Sequence, residues 1–357
     1  MKQNNMLRRI ILILLVFVLM LLFYFVLKKM DIIDLDSYFS KKNFEQKDDK
    51  LVIGFSLGTL KEERWLKDRD ILIAKVKEMG ADIIVQNANN DDQDQLKQVK
   101  YLLEQNIDVL IIVPNDLEKA AYAVDLAKRQ GVKVISYDRL VMKSNSDLYI
   151  SFDNEKVGEL MAEHVISKVQ QGNILILNGD KRDYNTKMIK QGYDRVLGDK
   201  IKSKDVEILA EEWADAWMKE YAFEKTVKAI QEGKRIDGVI AGNDSLAEGA
   251  IEALSEHRMA GKVFVVGQDA DLSACQRIVE GTQLMTVYKP IEKLAGETAR
   301  LAVMLAKGES LKIDKTIYDG KYDIPYYELE PIPVDKGNID STIIKDGFHM
   351  KEEVYRN

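Results

Sequence analysis

Side chains that can hydrogen-bond a polar ligand recur along this chain directly after short apolar runs. The first run, "LVIGFSL", is followed within the stretch "EERWLKDRD" by Arg64 and Trp65. Later runs end in "SYDR", "SFDN", "GDKRDYN", "AGND", "GQDAD" and "VYKP", and "EEWADAW" adds Trp217. The remaining candidates for chemistry are Asp138, Arg139, Asp153, Asn154, Asp183, Asn185, Asn243, Asp244, Gln268, Asp269 and Lys289.

These residue types suit a ligand that carries neighbouring hydroxyl groups. A planar carboxylate, carboxamide or guanidinium can engage two adjacent hydroxyls at once, because it offers two hydrogen-bonding atoms side by side. The C–H face of a pyranose ring is apolar and can stack on an indole ring. The set therefore predicts a sugar site. By residue type alone, Trp217 is equally consistent with the protein core and with such a site.

Other chemistries lack the residues that they need. A phosphate site would use a glycine-rich loop, and neither GxGxxG nor GxxxxGK[ST] occurs in the sequence. The three histidines (His164, His257 and His349) are scattered, and a single cysteine, Cys275, allows no intramolecular disulfide. The acidic run "NANNDDQDQ" lacks the spacing of a calcium-binding loop. We therefore predict neither a metal nor another cofactor.

Some of the candidates also have simpler explanations. Asp244 could cap the helix that follows it, and Asp153 and Asn154 could form a turn. Two carboxylates could form the catalytic pair of a glycosidase, but the sequence singles out no such pair. No enzymatic activity is predicted.

The elements that must position these side chains are strands and helices in alternation. The apolar runs are continuous rather than alternating, which is typical of parallel strands covered on both faces. The segments between them have helical spacing, as where Trp65, Leu72, Val76 and Met79 fall on one stripe. This order predicts a doubly wound α/β fold with two sheets. Since such sheets bind ligands at the carboxyl ends of their strands, we expect the candidates to share one crevice.

Length and charge limit the class of protein. The 357 residues are enough for about two domains of roughly 150 residues each. With 46% hydrophobic and 31% charged residues, the composition is that of a globular protein. The net charge is −7, with acidic and basic residues interspersed, which disfavours a nucleic-acid partner.

The N-terminal part of the sequence predicts a membrane anchor. Residues 10–27 contain no charge and no proline, and eighteen residues in a helix would span about 27 Å. A cleavable signal peptide would have a shorter apolar region and a small-x-small cleavage site. We therefore predict an uncleaved single-pass anchor within residues 1–30, a polar spacer at 31–50, and the long domain outside the cytoplasm at the cell membrane. Basic residues flank both ends, so charge favours this orientation only weakly.

Longer stretches of the sequence resemble the periplasmic D-xylose-binding proteins, a group within the ribose/galactose class of sugar-binding proteins. They are "RWLKDRD", "SYDRL", "YISFDNEKVGELMA", "NDSLAEGAIEALS" and "GQDADLSACQRIVEGTQLMTVYKPI", and the resemblance covers about 51–350. It implies two α/β lobes that are joined by three crossovers and close on a sugar. The implied N-terminal lobe comprises 51–152 and about 288–318, and the C-terminal lobe 153–287 and about 319–357.

The resemblance also implies which residues bind D-xylose. In its pattern, Trp65 and Trp217 stack on the two faces of the sugar, which assigns Trp217 to the pocket. The stretch "KRDYN" departs from the group's usual pattern only at Tyr184. The implied ligand residues are Arg64, Trp65, Asp138, Arg139, Asp183, Asn185, Trp217, Asn243, Asp269 and Lys289.

The predicted anchor distinguishes this chain from relatives that are soluble or tethered by a lipid. A binding protein held by a helix can report the sugar to a membrane histidine kinase, or deliver it to an ABC permease. From the sequence we favour the sensor of a two-component system, with the substrate-binding component of a xylose ABC transporter as the alternative. Repressors with a related core are excluded, because no helix-turn-helix precedes this one.

Overall fold

The computed structural model describes Met20 and residues 50–356. The predicted anchor at 10–27 and spacer at 31–50 lie outside the described residues, except for Met20 and Lys50. Among the residues that are described, no helix combines the length and the apolar character needed to cross a membrane.

The N-terminal lobe is built on a sheet of seven strands. Its strands are β1 (Val52–Leu57), β2 (Asp82–Asn87), β3 (Val109–Val113), β4 (Lys133–Tyr137), β5 (Leu148–Phe152), β11 (Thr316–Tyr318) and β12 (Asp323–Leu329). They lie in the order β11-β12-β5-β4-β3-β1-β2. All neighbours are parallel except the antiparallel pair β11 and β12.

The C-terminal lobe has a second sheet of six strands. Its strands are β6 (Gly172–Asn178), β7 (Val206–Trp213), β8 (Gly238–Ala241), β9 (Phe264–Gln268), β10 (Met285–Tyr288) and β13 (Ile332–Asp335). They lie in the order β13-β10-β9-β8-β6-β7, and only β13 runs antiparallel to its neighbour. The prediction of two doubly wound α/β lobes is therefore confirmed.

Helices cover the faces of both sheets. The N-terminal lobe carries α1 (Glu63–Glu78), α2 (Asp92–Glu104), α3 (Ala121–Arg129) and α9 (Ile291–Ala306). The C-terminal lobe carries α4 (Asn154–Lys168), α5 (Tyr184–Lys202), α6 (Lys219–Gln231), α7 (Asp244–Glu256), α8 (Leu272–Glu280) and α10 (Lys351–Tyr355).

Strand β3 shows why the apolar runs are continuous. Its residues Val109, Ile111 and Val113 face the core that is shared with α1 and α9. Leu110 and Ile112 face the opposite core, which is shared with α2 and α3. Because both faces of the sheet are buried here, apolar side chains are favoured on each of them.

The chain passes between the lobes three times, after β5, after β10 and after β12. The third crossing differs from the sequence-based boundary, which assigned everything from residue 319 to the C-terminal lobe. Strand β12 pairs with β5 instead, with Tyr326 opposite Tyr149, so residues up to Leu329 belong to the N-terminal lobe. The C-terminal lobe resumes only at β13.

Strand β12 gives no continuous apolar signal, because its environment is mixed. Its sequence, "DIPYYEL", contains a proline and a glutamate, and only alternate parts of it are buried. Its burial comes mainly from tertiary packing, since the ring of Tyr326 stacks on that of Tyr149 with 4.8 Å between centroids. A pattern that depends on a distant partner strand is not visible in the local sequence.

Candidate functional site

Each of the two sheets contains a topological switch point, where the order of the strands reverses. In each lobe the first strand lies between the second and the third, as β2-β1-β3 and as β7-β6-β8. Doubly wound sheets bind ligands at the carboxyl ends of the strands around such a switch point. The segments that follow β1 and β4 in one lobe, and β6 to β10 in the other, carry the candidate residues.

A cavity of about 310 Å³ lies between the lobes at these strand ends. The structure brings together all ten positions that the resemblance implies, while their contact with a ligand remains a prediction. The lining residues are Glu62, Arg64, Trp65, Asp138, Arg139, Asp183, Asn185, Trp217, Asn243, Gln268, Asp269 and Lys289.

Arg64 lies at the centre of a buried group of charges that spans the cleft. Its Nε donates to Asp68 Oδ2 at 3.3 Å, one turn further along α1. Its Nη2 donates to Asp138 Oδ1 at 2.9 Å, after β4 of the same lobe. Its Nη1 donates to Asp269 Oδ1 at 3.1 Å, after β9 of the other lobe. The position just after the first strand therefore requires an arginine, because the guanidinium alone offers a fork of donors in three directions.

Asp68 completes this group on the side away from the cavity. It is fully buried and accepts hydrogen bonds from Tyr137 and Arg64. Burial raises the pKa of Asp68 to about 6, although the nearby Arg64 acts in the opposite direction. Asp68 therefore holds the guanidinium from behind, and it does not line the cavity.

Trp65 serves both the core and the cavity wall. Its side chain is 2% exposed and belongs to the apolar core of the N-terminal lobe. The guanidinium carbons of Arg64 and Arg139 lie 4.5 Å and 5.1 Å from its ring centroid. These cation–π contacts fix both arginines beside the cavity.

Asp269 and Lys289 form the charged wall of the C-terminal lobe. The Lys289 ammonium lies 2.8 Å from Asp269 Oδ1, the same oxygen that accepts from Arg64. Burial acts to raise the pKa of Asp269, but Lys289 and Arg64 outweigh it and lower the pKa below its usual value. Asp269 is therefore an ionised acceptor at neutral pH, with its second oxygen available to a ligand.

A second set of contacts closes the lobes on each other. The Arg139 Nε of the N-terminal lobe lies 2.7 Å from Asp183 Oδ2 of the C-terminal lobe. Asp183 also caps α5 by accepting from the backbone amide of Asn185 at 2.9 Å. The side-chain Nδ2 of Asn185 donates in turn to the carbonyl oxygen of Asp138 at 2.9 Å. Burial raises the pKa of Asp183 against the opposing effect of Arg139. The structure is thus the closed form of a two-lobed protein.

Three residues of the cavity wall have a left-handed backbone. They are Asp138 (φ 60°), Trp217 (φ 54°) and Asp269 (φ 96°). Aspartate tolerates this region better than most residues do, whereas a bulky side chain such as tryptophan is a genuine outlier there. Such conformations cost of order 1–3 kcal/mol and persist where the surroundings enforce them. Their placement at one site indicates that the cavity's shape is held against local backbone preference.

Trp217 is held against the backbone of two glycines. A Cβ atom at Gly179 would lie 2.2 Å from the indole ring, and one at Gly242 would lie 3.2 Å from it. Gly179 follows β6 directly and Gly242 follows β8, so the ring lies over the carboxyl ends of two adjacent strands. The side chain is 6% exposed, which makes it a rigid wall of the cavity.

Three polar atoms of the lining are buried without a hydrogen-bond partner in the described part of the chain. They are Trp217 Nε1, Gln268 Oε1 and Glu62 Oε2. Such atoms cost about 1–3 kcal/mol each unless they are satisfied, so they favour a ligand with several hydrogen-bonding groups. No group of three or more metal-binding side chains occurs among the residues described.

Glu62 and Gln268 were not among the ligand residues implied by the resemblance. Gln268 had a sequence signal, since it ends the apolar run before Asp269. Its amide nitrogen donates to the carbonyl of Gly242 at 2.7 Å, which leaves the oxygen facing the cavity. Glu62 had no signal beyond its place two residues before Arg64.

Three other candidates lie outside the lining. Asp153 accepts from the backbone amide of Lys156 at 2.9 Å and caps α4, so the structural explanation applies to it. Asn154 is buried in the first turn of that helix. Asn243, rather than Asp244, caps α7, and Asp244 lies buried behind the cavity wall.

Comparison with protein families identifies one match over most of the described chain. The family described as "Periplasmic binding protein domain" matches residues 53–310. Similar curated proteins include two D-xylose-binding periplasmic proteins. The one from Haemophilus influenzae is 45% identical over 306 residues, and that from Escherichia coli is 42% identical over 303 residues. Each alignment covers 85% of this chain and 92% of the relative.

Solved structures show the same two-lobed arrangement. An ABC transporter solute-binding protein from Clostridium phytofermentans, with bound β-D-glucose, superposes with a TM-score of 0.80 at 25% identity. It covers 85% of this chain and 99% of its own. A carbohydrate transporter solute-binding protein from Chloroflexus aurantiacus, in complex with D-glucose, gives 0.81 at 26% identity, with 85% and 98% covered.

Proposed function

We propose that this chain, which belongs to the periplasmic binding protein family, binds D-xylose between its lobes and delivers the sugar to an ABC permease. The observation that supports this most is that all ten positions taken from the D-xylose resemblance line one cavity. The two curated relatives at 45% and 42% identity carry D-xylose in their names. Both lobes contribute hydrogen-bonding groups, so closure on the sugar would desolvate it on all sides. We propose no catalytic step.

The comparisons favour transport over the sensor role that the sequence analysis preferred. That preference relied on the apolar segment at 10–27, whereas the similar solved structures are transporter solute-binding proteins. Residues 10–27 are compatible with either role, since a tether would raise the effective concentration of the binding domain near any membrane partner.

Calorimetry on the full chain tests the ligand. The chain is purified in a detergent without a sugar headgroup and titrated with D-xylose, D-ribose, L-arabinose and D-glucose. We expect D-xylose to bind at least tenfold more tightly than the others, because a hydroxymethyl group or an inverted hydroxyl disturbs a closed polar cavity. The sugar recovered afterwards should be chemically unchanged. Tighter binding of D-ribose or D-glucose would refute the assignment.

Fractionation of cells tests the anchor and the partner. We propose that residues 10–27 remain in the mature protein and hold it to the membrane. The protein should then stay with the membrane fraction after high-salt washing, and N-terminal sequencing should begin before residue 10. A mature N-terminus after residue 28 would contradict this. Pull-down in the presence of D-xylose should recover permease subunits, while recovery of a histidine kinase alone would restore the sensor role.

Gly179→Ala tests the position of Trp217. The added methyl group would overlap the indole ring, so the ring must move into the cavity. We expect D-xylose affinity to fall roughly tenfold or more, since overpacking costs about 1–3 kcal/mol. Gly296→Ala, where an added Cβ meets nothing within 4 Å, is the matched control and should bind as the wild type does. Equal affinity of both variants would show that Trp217 does not contact the sugar.

A further inference from the structure

A contact between the lobes lies outside the sugar cavity, where α1 meets the segment before α10. Lys67 is on α1, three residues after Arg64. Its ammonium donates to the carbonyl oxygen of Phe348 at 3.1 Å and lies 3.9 Å from the centroid of that ring. It is also 3.2 Å from Nδ1 of His349. Helix α1 packs in the N-terminal core, whereas Phe348 packs in the C-terminal lobe, so this contact crosses the cleft.

His349 connects this contact to the sugar cavity. Its Nε2 lies 2.7 Å from the carbonyl oxygen of Ala270, which can only accept, so Nε2 carries the hydrogen. Nδ1 then has a lone pair, which accepts from the Lys67 ammonium. Ala270 follows Asp269 directly, and both residues have positive φ angles, 55° and 96°. The imidazole, which is 5% exposed, thus supports the strained loop that presents the Asp269 carboxylate.

Glu63 strengthens the same junction from α1. One of its carboxylate oxygens lies 3.1 Å from the Lys67 ammonium. The other accepts from the backbone amide of Leu272 at 3.2 Å, at the N-terminus of α8 in the C-terminal lobe. Lys67 and Glu63 therefore act together on the loop between Asp269 and α8.

We propose that Lys67 and the Phe348–His349 segment form an interlobe latch that stabilises the closed form and holds the Asp269 loop in its binding position. The latch rests on the proposed function. Its contacts form only when the two lobes are together, so their free energy stabilises the closed form and not the open form. Since the sugar is released on opening, a weaker latch lowers the closed population and shortens the lifetime of the bound sugar. Lys67 and His349 are positioning residues, because neither lines the cavity.

Acidification should open the latch. The charged groups facing His349 are Lys67 and Glu63 of α1 and Glu353 of α10. Burial, and next the Lys67 ammonium, lower the pKa of His349, so closure favours the neutral ring. Protonation would place a hydrogen on Nδ1 against the Lys67 ammonium. Because closure lowers the pKa of His349, latch strength is complete above the pKa that this ring has in the open form and decreases as the pH falls below it.

The first test measures D-xylose dissociation by stopped flow on the full chain. Lys67→Met keeps the aliphatic stem and removes the ammonium. We expect its dissociation rate to rise about tenfold, with the association rate nearly unchanged, since one charge-assisted hydrogen bond is lost. Lys77→Met, on the exposed side of the same helix, is the matched control and should behave as the wild type. A wild-type dissociation rate for Lys67→Met would overturn the latch.

The second test measures lobe closure as a function of pH and does not depend on which sugar the protein prefers. Fluorescent labels at Lys97→Cys in one lobe and Lys202→Cys in the other report lobe closure, because both side chains are exposed while Cys275 is buried. We expect the closed fraction of the wild type to fall as the pH is lowered from about 7 to 5, the range in which histidine side chains gain their charge. This fall should be reduced in His349→Gln. An identical pH profile in both proteins would refute the role of His349. Failure of the proposed function would instead appear as no D-xylose binding in an unaltered protein.

Discussion

Asp269→Asn is expected to weaken D-xylose binding by roughly thirtyfold to several-thousandfold, the largest change from any single substitution in the cavity. Asp269 Oδ1 accepts from both Arg64 and Lys289, at 3.1 Å and 2.8 Å. Removing its charge leaves two buried cations without their shared partner and replaces an acceptor with a donor. Losing one member of a buried, hydrogen-bonded charge pair costs about 2–5 kcal/mol.

Asparagine is preferable to alanine at this position for a backbone reason. Asp269 has a φ of 96°, a backbone conformation that asparagine tolerates better than alanine does. Affinity is measured by calorimetry, with circular dichroism to verify the fold. Asp271→Asn, on the same loop but outside the lining, is the matched control. Asparagine keeps the size and shape of the Asp271 side chain, which lies outside the cavity lining, so this variant should change D-xylose affinity less than twofold. A larger loss in Asp271→Asn than in Asp269→Asn would contradict the assigned site.

The carboxyl ends of the strands could be predicted from the sequence because they depend on local signals. A continuous apolar run indicates a strand buried on both faces, and the fold rule then places whatever follows it at the crevice. This reasoning places Arg64, Asp138, Asp183 and Asp269 at one site before any coordinates are known. The resemblance assigns Trp217 to the pocket, whereas residue type alone leaves the core and the pocket equally possible.

The pairing across the cleft could not be predicted from the sequence. That Arg64 contacts Asp269, 205 residues away, depends on how two separate sheets face each other. Glu62 lines the cavity through its place before α1, with no distinct local pattern. The same limit explains the third crossover, since the burial of β12 is determined by its partner β5 and not by its own composition. Long-range geometry decided each of these features.

Gly192→Ala is expected to destabilise the protein by about 3 kcal/mol, and this is the largest expected effect on stability. Helices α4 and α5 cross at two glycines, Gly158 and Gly192. A Cβ at Gly192 would lie 1.9 Å from the carbonyl oxygen of Glu155, and one at Gly158 would lie 1.9 Å from that of Ile189. A backbone oxygen in a helix cannot rotate away, so the helices must separate, and the cost is at the upper end of the ~1–3 kcal/mol for overpacking.

Gly198→Ala, on the same helix, separates this clash from the effect of the residue type. An added Cβ there meets nothing within 4 Å, so alanine should stabilise by about 0.4–1 kcal/mol through the unfolded chain. Thermal unfolding should show Tm lowered by about 4–5 °C for Gly192→Ala and slightly raised for Gly198→Ala. Because α5 begins at the cap formed by Asp183, separation of the helices should also move that carboxylate away from Arg139. We therefore expect Gly192→Ala to lose D-xylose affinity even at temperatures where it is fully folded. If its Tm equals that of Gly198→Ala, the two helices do not cross at these glycines.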